Sequence, residues 1–250
     1  MCSIYHIEDA SGNSKELEKI KSLDKFIDAY HTISDKTKYE LEQITDKPIY
    51  SIPLWVNQNI WYFIKDKIGL RKQYNFQKND FLVGSFQRDT EGKNLISPKL
   101  VKGPDIFIEI VTDLYKKNKN LKVVLAGKRR QYVISELEKR NIPFSYFEMT
   151  DFKILNELYN ILDLYLVTSR LEGGPQALVE CGLTKTPIIS TDVGIANQIL
   201  SPSSIFNQEK LSTFKKTIPD VNFAFEKSSK LTIPNGMLKY IEMFNEVHES

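Results

Sequence analysis

Residues 164–180 read LYLVTSRLEGGPQALVE. LYLVTS is a short apolar run that turns polar only at Thr168-Ser169, which suits a strand covered on both faces. Arg170, Leu171, Glu172, Gly173 and Gly174 break the run. Pro175 then suits the first turn of a helix, where its missing N–H is not needed and its fixed φ is already helical. A strand, a glycine turn and a helix make half of a βαβ unit.

The same unit repeats outward from this point. Upstream come FLVGSF (81–86), a polar loop from Gln87 to Lys102, an amphipathic helix from Asp105 to about Lys117, and LKVVLAG (121–127). A helix from Arg130 to about Arg140, FSYFEM (144–149) and a helix over 151–161 follow. Downstream lie a helix over 174–184, PIIST (187–191) and a short helix near 195–200. Strands alternating with helices predict right-handed crossovers and a parallel sheet. The fold class expected is α/β, a Rossmann-like doubly wound sheet over residues 81–206. Ligands in such sheets bind beyond the carboxyl ends of the strands. Those ends are Gly84-Ser85-Phe86, Gly127-Lys128, Met149-Thr150, Ser169-Arg170 and Thr191-Asp192.

Composition agrees with a globular chain. The 250 residues carry 34 Lys plus Arg against 32 Asp plus Glu, a net charge of +2, with 41% hydrophobic and 26% charged residues. This excludes a disordered tail or a disulfide scaffold. The even charge argues against a nucleic-acid binder, which needs clustered Lys and Arg. Cys2 at the start and Cys181 inside a predicted helix do not suggest a framework disulfide. No run of about 18 apolar residues is present to span a membrane, and the start MCSIYHIEDASG lacks the pattern of a secretory signal. A cytoplasmic protein is expected, with peripheral membrane contact left open.

The flanks are less regular. KFIDAYHTI (25–33) reads as a strand, followed by a helix to about Gln43 with Ser34 as N-cap. Pro48 and Pro53 bracket a short strand. Residues 57–80 read as a linker with a turn at Gly69 and one short helix. The tail carries helices near 219–229 and 235–248. Met237, Leu238, Ile241, Phe244 and Val247 form an apolar stripe expected to dock the second one.

Two constellations carry chemistry. In the first, the free N–H groups of the helix start after Gly173-Gly174-Pro175 make an anion site. Glu172 before the turn and Glu180 on the helix can accept hydrogen bonds from a polyol. Together they suit a nucleotide sugar; the alternative is a Gly-Pro helix start with solvent-facing glutamates. In the second, Arg88 and Lys102-Gly103, in the loop after the first strand, can converge on a diphosphate. The alternative there is a solvated basic loop.

With these residues in place, the region 81–200 resembles the donor-binding domain of the GT-B glycosyltransferases of the large retaining family 4. The signature is a glutamate, Gly and Pro, then a second glutamate with seven residues between, here Glu172-Gly-Gly-Pro-Gln-Ala-Leu-Val-Glu180. Gly84, Lys102-Gly103, Gly127 and Pro187 fit the same pattern. The resemblance implies a retaining sugar transfer from a nucleoside diphosphate sugar to an acceptor hydroxyl. It implies that Glu172 touches the donor sugar and that the backbone of Gly173, Gly174, Pro175, Gln176 and Ala177 holds sugar and diphosphate. Glu180 would bind ribose, and Lys102 with an arginine would stabilise the leaving diphosphate. Gly84, Ser85, Gly127 and Lys128 would complete the donor side. Many relatives place arginine directly after the first strand's glycine; here that position is Ser85, and Arg88 is the nearest arginine. No Asp-x-Asp pair and no Cys/His cluster with zinc spacing occurs, so no metal or other cofactor is expected.

The acceptor side is shorter. Residues 1–60 resemble the end of an N-terminal acceptor domain, 61–80 a linker, and 207–250 a C-terminal helical tail. His6, in Ile4-Tyr5-His6-Ile7-Glu8-Asp9, resembles the histidine that relatives point toward the donor sugar; the alternative is a frayed terminal residue. His31 is expected to be packed or at a rim. Only part of an acceptor domain is expected in this chain. Tyr50, Ile52, Leu54, Trp55 and Trp61 are expected to be exposed and to favour self-association or a missing acceptor domain. A nucleotide-sugar-binding module without turnover, or an epimerase or phosphorylase on the same fold, stays open as an alternative.

Overall fold

The computed structural model describes residues 1–7, 15–93 and 95–249. Among them the strands form two parallel sheets. The smaller has β1 (Cys2–Ile4), β2 (Tyr30–Thr32) and β3 (Ile49–Ser51) in the order β1-β2-β3, with α1 (Lys15–Leu23) and α2 (Asp35–Glu42) between them in sequence. A helix, α3 (Lys67–Gln73), stands between the sheets in the chain.

The larger sheet has β4 (Phe81–Ser85), β5 (Leu121–Ala126), β6 (Phe144–Phe147), β7 (Leu164–Val167), β8 (Ile188–Thr191) and β9 (Ile205–Phe206). Its crossovers carry α4 (Pro104–Lys117), α5 (Gln131–Lys139), α6 (Phe152–Ile161), α7 (Gln176–Thr184) and the short α8 (Ala196–Ile199). The order is β6-β5-β4-β7-β8-β9. The chain winds one way from β4 and the other way from β7, so the switch point lies between these two central strands, where open α/β sheets hold ligands. Successive strand residues serve opposite faces. Leu82, Val124 and Val167 join one apolar cluster, while Val83, Leu125 and Leu166 join the other. Leu82 and Val83 are both 0% exposed, so helices cover both faces of β4, and the continuous apolar runs follow from that.

The central expectation therefore holds, with β9 as an added strand. The flanks need correction. Within 25–33 only Tyr30–Thr32 is strand; Asp24–Phe26 is a 3-10 turn, held as Tyr30 Oη donates to Asp24 Oδ1 at 2.8 Å. Strand β1 and helix α1 were not read from the sequence; β1 pairs through only three residues. Gly69 is no turn: it lies inside α3, and its N–H donates to the Asp66 N-cap at 2.8 Å. The 57–80 segment carries the one short helix expected, α3, and is bonded to the larger unit. Tyr62 N and Ile64 N donate to Asn156 Oδ1 and Asn160 Oδ1, and buried Arg71 donates to the Ile161 carbonyl and to Asp163 Oδ2, strapping the segment to α6.

The C-terminal segment returns to the small sheet. It adds α9 (Val221–Ser229) and α10 (Asn235–Glu249). Val56 N donates to the Leu231 carbonyl at 2.8 Å, and Tyr240 Oη to the Ile52 carbonyl at 3.2 Å. The predicted stripe does not dock α10: Leu238, Ile241 and Phe244 are 50%, 51% and 53% exposed. Gly236, Tyr240 and Met243 form the inner face instead, with the Tyr240 ring 5.2 Å from that of His31. His31 itself is packed, with its ring nitrogens on Ser3 Oγ and the Ile52 carbonyl. Ile52 and Trp61 are buried rather than exposed; Trp55 alone of the expected five is counted among the exposed large apolar residues.

Gly103 joins the α4 start to β7. Its φ is +60°, and a Cβ there would lie 1.8 Å from the Thr168 carbonyl oxygen. Gly127 has φ +85°, but its nearest contact would be 3.3 Å away. Gly103→Ala is expected to cost about 3 kcal/mol or more, since left-handed strain and a backbone overlap add. Gly127→Ala should cost about 1–2 kcal/mol, for strain alone. Urea denaturation of both variants checks the order; equal losses would contradict it.

Candidate functional site

The loops leaving β4 and β7 meet at the switch point. Thr168 Oγ1 donates to the Gly103 carbonyl at 2.8 Å, and Arg170 N donates to the Val101 carbonyl. Arg170 also forks onto Asp105, at 2.8 and 2.6 Å. These bonds bring the Lys102-Gly103 turn against the 169–175 turn. Lys102 Nζ pairs with Glu172 Oε1, the side chains being 24% and 14% exposed. Ser169 Oγ lies 2.9 Å from the same oxygen. Glu172 is therefore neither solvent-facing nor free.

Helices α4 and α7 both begin here, at Gly103 and Pro175, and no side chain caps either. By contrast α2, α3, α6 and α9 are capped by Ser34, Asp66, Asp151 and Asp220. The first N–H groups of α7 have no partner within their own helix and present the positive end of its dipole. Pro175 is the N-cap of α7 rather than its first turn. Gln176 is exposed and Ala177 half-buried.

A cavity of about 290 Å³ opens here, lined in part by Phe86, Gln87, Glu172, Gly174, Gln176 and Glu180. Its floor is aromatic, with Phe86 4.8 Å from Tyr159 and 5.2 Å from Tyr165. Tyr159 Oη donates to Glu180 Oε2 at 2.6 Å. Burial pushes the Glu180 carboxyl up to about 7, and the Tyr159 bond acts in the opposite sense. A larger hollow of about 550 Å³, beside Asp192, Pro202 and Gln208, contains none of the predicted site residues.

A Cβ on Gly173 would lie 2.2 Å from the Tyr5 carbonyl, and one on Gly174 2.9 Å from Ile33 Cδ1. Their missing side chains admit the small sheet, while Gly174 also lines the cavity. This close fit carries the segment after β1, including half-buried His6, to the 169–175 turn; burial raises the Glu40 carboxyl of α2, with Lys36 and then His6 acting in the opposite sense. Glu8 and Asp9 of the same motif lie outside the described residues.

Arg88 is not gathered with Lys102. It is exposed, and its Nε donates to the Thr90 carbonyl at 3.0 Å. The arginine near Ser85 is Arg130, fully buried, with Nη2 3.3 Å from Ser85 Oγ and Nε 3.1 Å from Asp89 Oδ2. Burial lowers the Arg130 guanidinium and raises the Asp89 carboxyl. Gly84 is packed against Leu162, and Lys128 is exposed at the end of β5. Gln87, Tyr159 and Ser169 belong to the site and were not singled out from sequence. Only their positions just past strand ends, or one face of α6, hinted at it. Among the described residues no three His, Cys, Asp or Glu side chains gather as a metal site, and no helix is long and apolar enough to cross a membrane.

A family model described as glycosyl transferases group 1 matches residues 70–217, more than half of the chain. The chain belongs to this glycosyl transferases group 1 family. A search of curated proteins finds no match. Among solved structures, sucrose-phosphate synthase from Thermosynechococcus elongatus is similar at TM-score 0.78 and 14% identity, over 97% of this chain and 64% of that one. Anabaena HepE, in complex with UDP and glucose, is similar at 0.76 and 15%, over 99% and 71%. TarM of S. aureus is similar at 0.69 and 20%, over 99% and 50%. The chain thus spans about half to seven-tenths of these glycosyltransferase-fold structures, which share its GT-B architecture of two parallel α/β units.

The carboxyl of Glu180 yields a stability test. With a folded pKa of about 7 against the ordinary 4.5, the folded family member holds a proton that the unfolded chain has lost. Stability is fullest below the ordinary value, falls as pH rises through that window, and is level above it. Glu180→Gln is expected to gain on the order of 3 kcal/mol at pH 8 and nothing at pH 4. Urea midpoints at both pH values check this; an equal shift at each would remove the buried-carboxyl assignment.

Proposed function

We propose that this chain binds a nucleoside diphosphate sugar in the crevice between β4 and β7 and transfers the sugar, with retention, to an acceptor hydroxyl. The single observation that carries this is the meeting of Glu172, Glu180 and the uncapped start of α7 around one cavity, with Lys102 paired to Glu172 at its edge. A cation and helix N–H groups suit a diphosphate, and carboxylates suit sugar and ribose hydroxyls.

Each role follows from placement. Lys102 neutralises the diphosphate as it leaves, which is stabilisation of charge where it develops. With the α7 N–H groups it takes the part a divalent ion plays elsewhere, so the reaction needs no metal. Glu172 orients the sugar hydroxyls. Glu180 accepts from the ribose hydroxyls, above the aromatic floor of Phe86, Tyr159 and Tyr165. Ser85, Gly127 and Lys128 stand at the strand ends beside the diphosphate. The six-strand unit is the donor side, and the small sheet with His6 is the acceptor side. Since the HepE structure holds UDP and glucose, UDP-glucose is the first donor to test.

The test is a thermal-shift and calorimetric panel of UDP-, GDP-, ADP- and TDP-glucose, since a ligand of the folded state alone raises stability. Lys102→Ala and Glu180→Ala are expected to weaken the selected donor about tenfold or more, as hydrogen bonds to charged groups are lost. Hydroxyl donors favour ionised Glu180, so affinity should rise up to about tenfold between pH 6 and pH 8, and this rise should vanish in Glu180→Gln. Unchanged calorimetric affinity in Glu180→Ala would sink its assignment. Donor binding without transfer to any hydroxyl would leave a binding module.

A further inference from the structure

One hydrogen-bond chain crosses the crevice behind Lys102 and Glu172. Gln87 Nε2 donates to the Lys102 carbonyl at 2.8 Å. Gln87 Oε1 lies 3.1 Å from Ser169 Oγ, across 82 positions of sequence. The same Ser169 hydroxyl lies 2.9 Å from Glu172 Oε1, the oxygen that Lys102 Nζ also takes. Ser169 is 0% exposed, and its carbonyl accepts from Thr191 Oγ1 at 2.6 Å, so the residue is held at both its backbone and its side chain.

A serine hydroxyl has one hydrogen and faces two acceptors here. A carboxylate oxygen is the stronger acceptor of the two. The hydroxyl therefore serves Glu172 while Lys102 is paired with it. Gln87 Oε1 is the second acceptor, available when Glu172 turns to another donor. Gln87 meanwhile holds the turn that carries Lys102. The chain thus ties the ammonium and the carboxylate to one frame.

We propose that Gln87 and Ser169 are positioning residues for sugar recognition: Ser169 holds Glu172 in the rotamer that meets the donor sugar, and Gln87 holds the Lys102 turn. The proposal rests on the donor assignment above, and it deepens it by separating the sugar from the nucleotide. Ser169 acts through Glu172 alone, so its loss is felt by the nucleotide sugar and not by the free nucleotide. Gln87 acts through Lys102.

The test is calorimetry of UDP and UDP-glucose, or the matching pair for the nucleotide that the panel selects. It is run on the parent chain, Ser169→Ala, Glu172→Ala and the double variant. Ser169→Ala is expected to weaken the nucleotide sugar about fivefold and the free nucleotide less than twofold. In the Glu172→Ala background the further loss should disappear, as coupled neighbours require. Equal losses for both ligands, no loss, or the same loss in both backgrounds would overturn the proposal while leaving the donor assignment in place. Absence of binding by the parent to every member of the panel would overturn both. If Ser169→Ala does not fold, Gln87→Met takes its place. Its expected result is a threefold or larger loss for the nucleotide sugar that vanishes in a Lys102→Ala background; persistence of that loss would overturn the proposal.

Discussion

The site depends on one close approach. The Thr168 carbonyl sits where a side chain on residue 103 would have to be, and the Thr168 hydroxyl binds the Gly103 carbonyl. Only a residue without a Cβ tolerates both the overlap and a φ of +60°. This contact closes the long loop after β4 onto the end of β7. It starts α4 at a defined point and leaves Lys102 against Glu172. Without it the two halves of the candidate site would belong to separate loops.

Around that contact, electrostatics divides the work between exposed and buried groups. Lys102 and Glu172 are partly exposed and paired, so ligand groups of opposite sign can exchange with either partner. Glu180 is held among aromatic rings with a single hydroxyl donor, and its charge is disfavoured until a ligand supplies more. The buried Arg130–Asp89 pair anchors the polar loop to the start of α5. Asp89 N and Thr90 N add bonds to the Arg129 carbonyl. The loop that carries Lys102 is thereby tied down at both ends.

Much of this was legible residue by residue. The four apolar letters before Thr168-Ser169 announce a strand buried on both faces, and Gly-Gly-Pro announces the helix after it. Glu172 and Glu180 fall on the binding edge once strand and helix are assigned. The Lys-Gly pair marks the α4 start. Other features left no local signal. β1 and β9 are too short to show alternation, being three and two residues long. The apolar stripe of α10 misled because helix periodicity tells which residues share a face, not which face meets the protein. Gly236 and Tyr240 decide that, through Trp55 and the Ile52 carbonyl.

The sequence by itself determined the order of strands and helices from Phe81 to Thr191, the edge of the sheet where a ligand site was to be sought, and the acidic pair on that edge. It could do so because these follow from local periodicity, turn chemistry and spacing along one stretch of chain. The tertiary structure decided what each of those residues meets. It sets Lys102 on Glu172, bonds Arg88 to the Thr90 carbonyl, puts Arg130 beside Ser85, and fits Gly173 to the backbone of Tyr5. Apart from the Arg88 bond, each of these is a contact between segments far apart in the chain. Its partner is chosen by how the layers close, and no window of neighbouring residues records that.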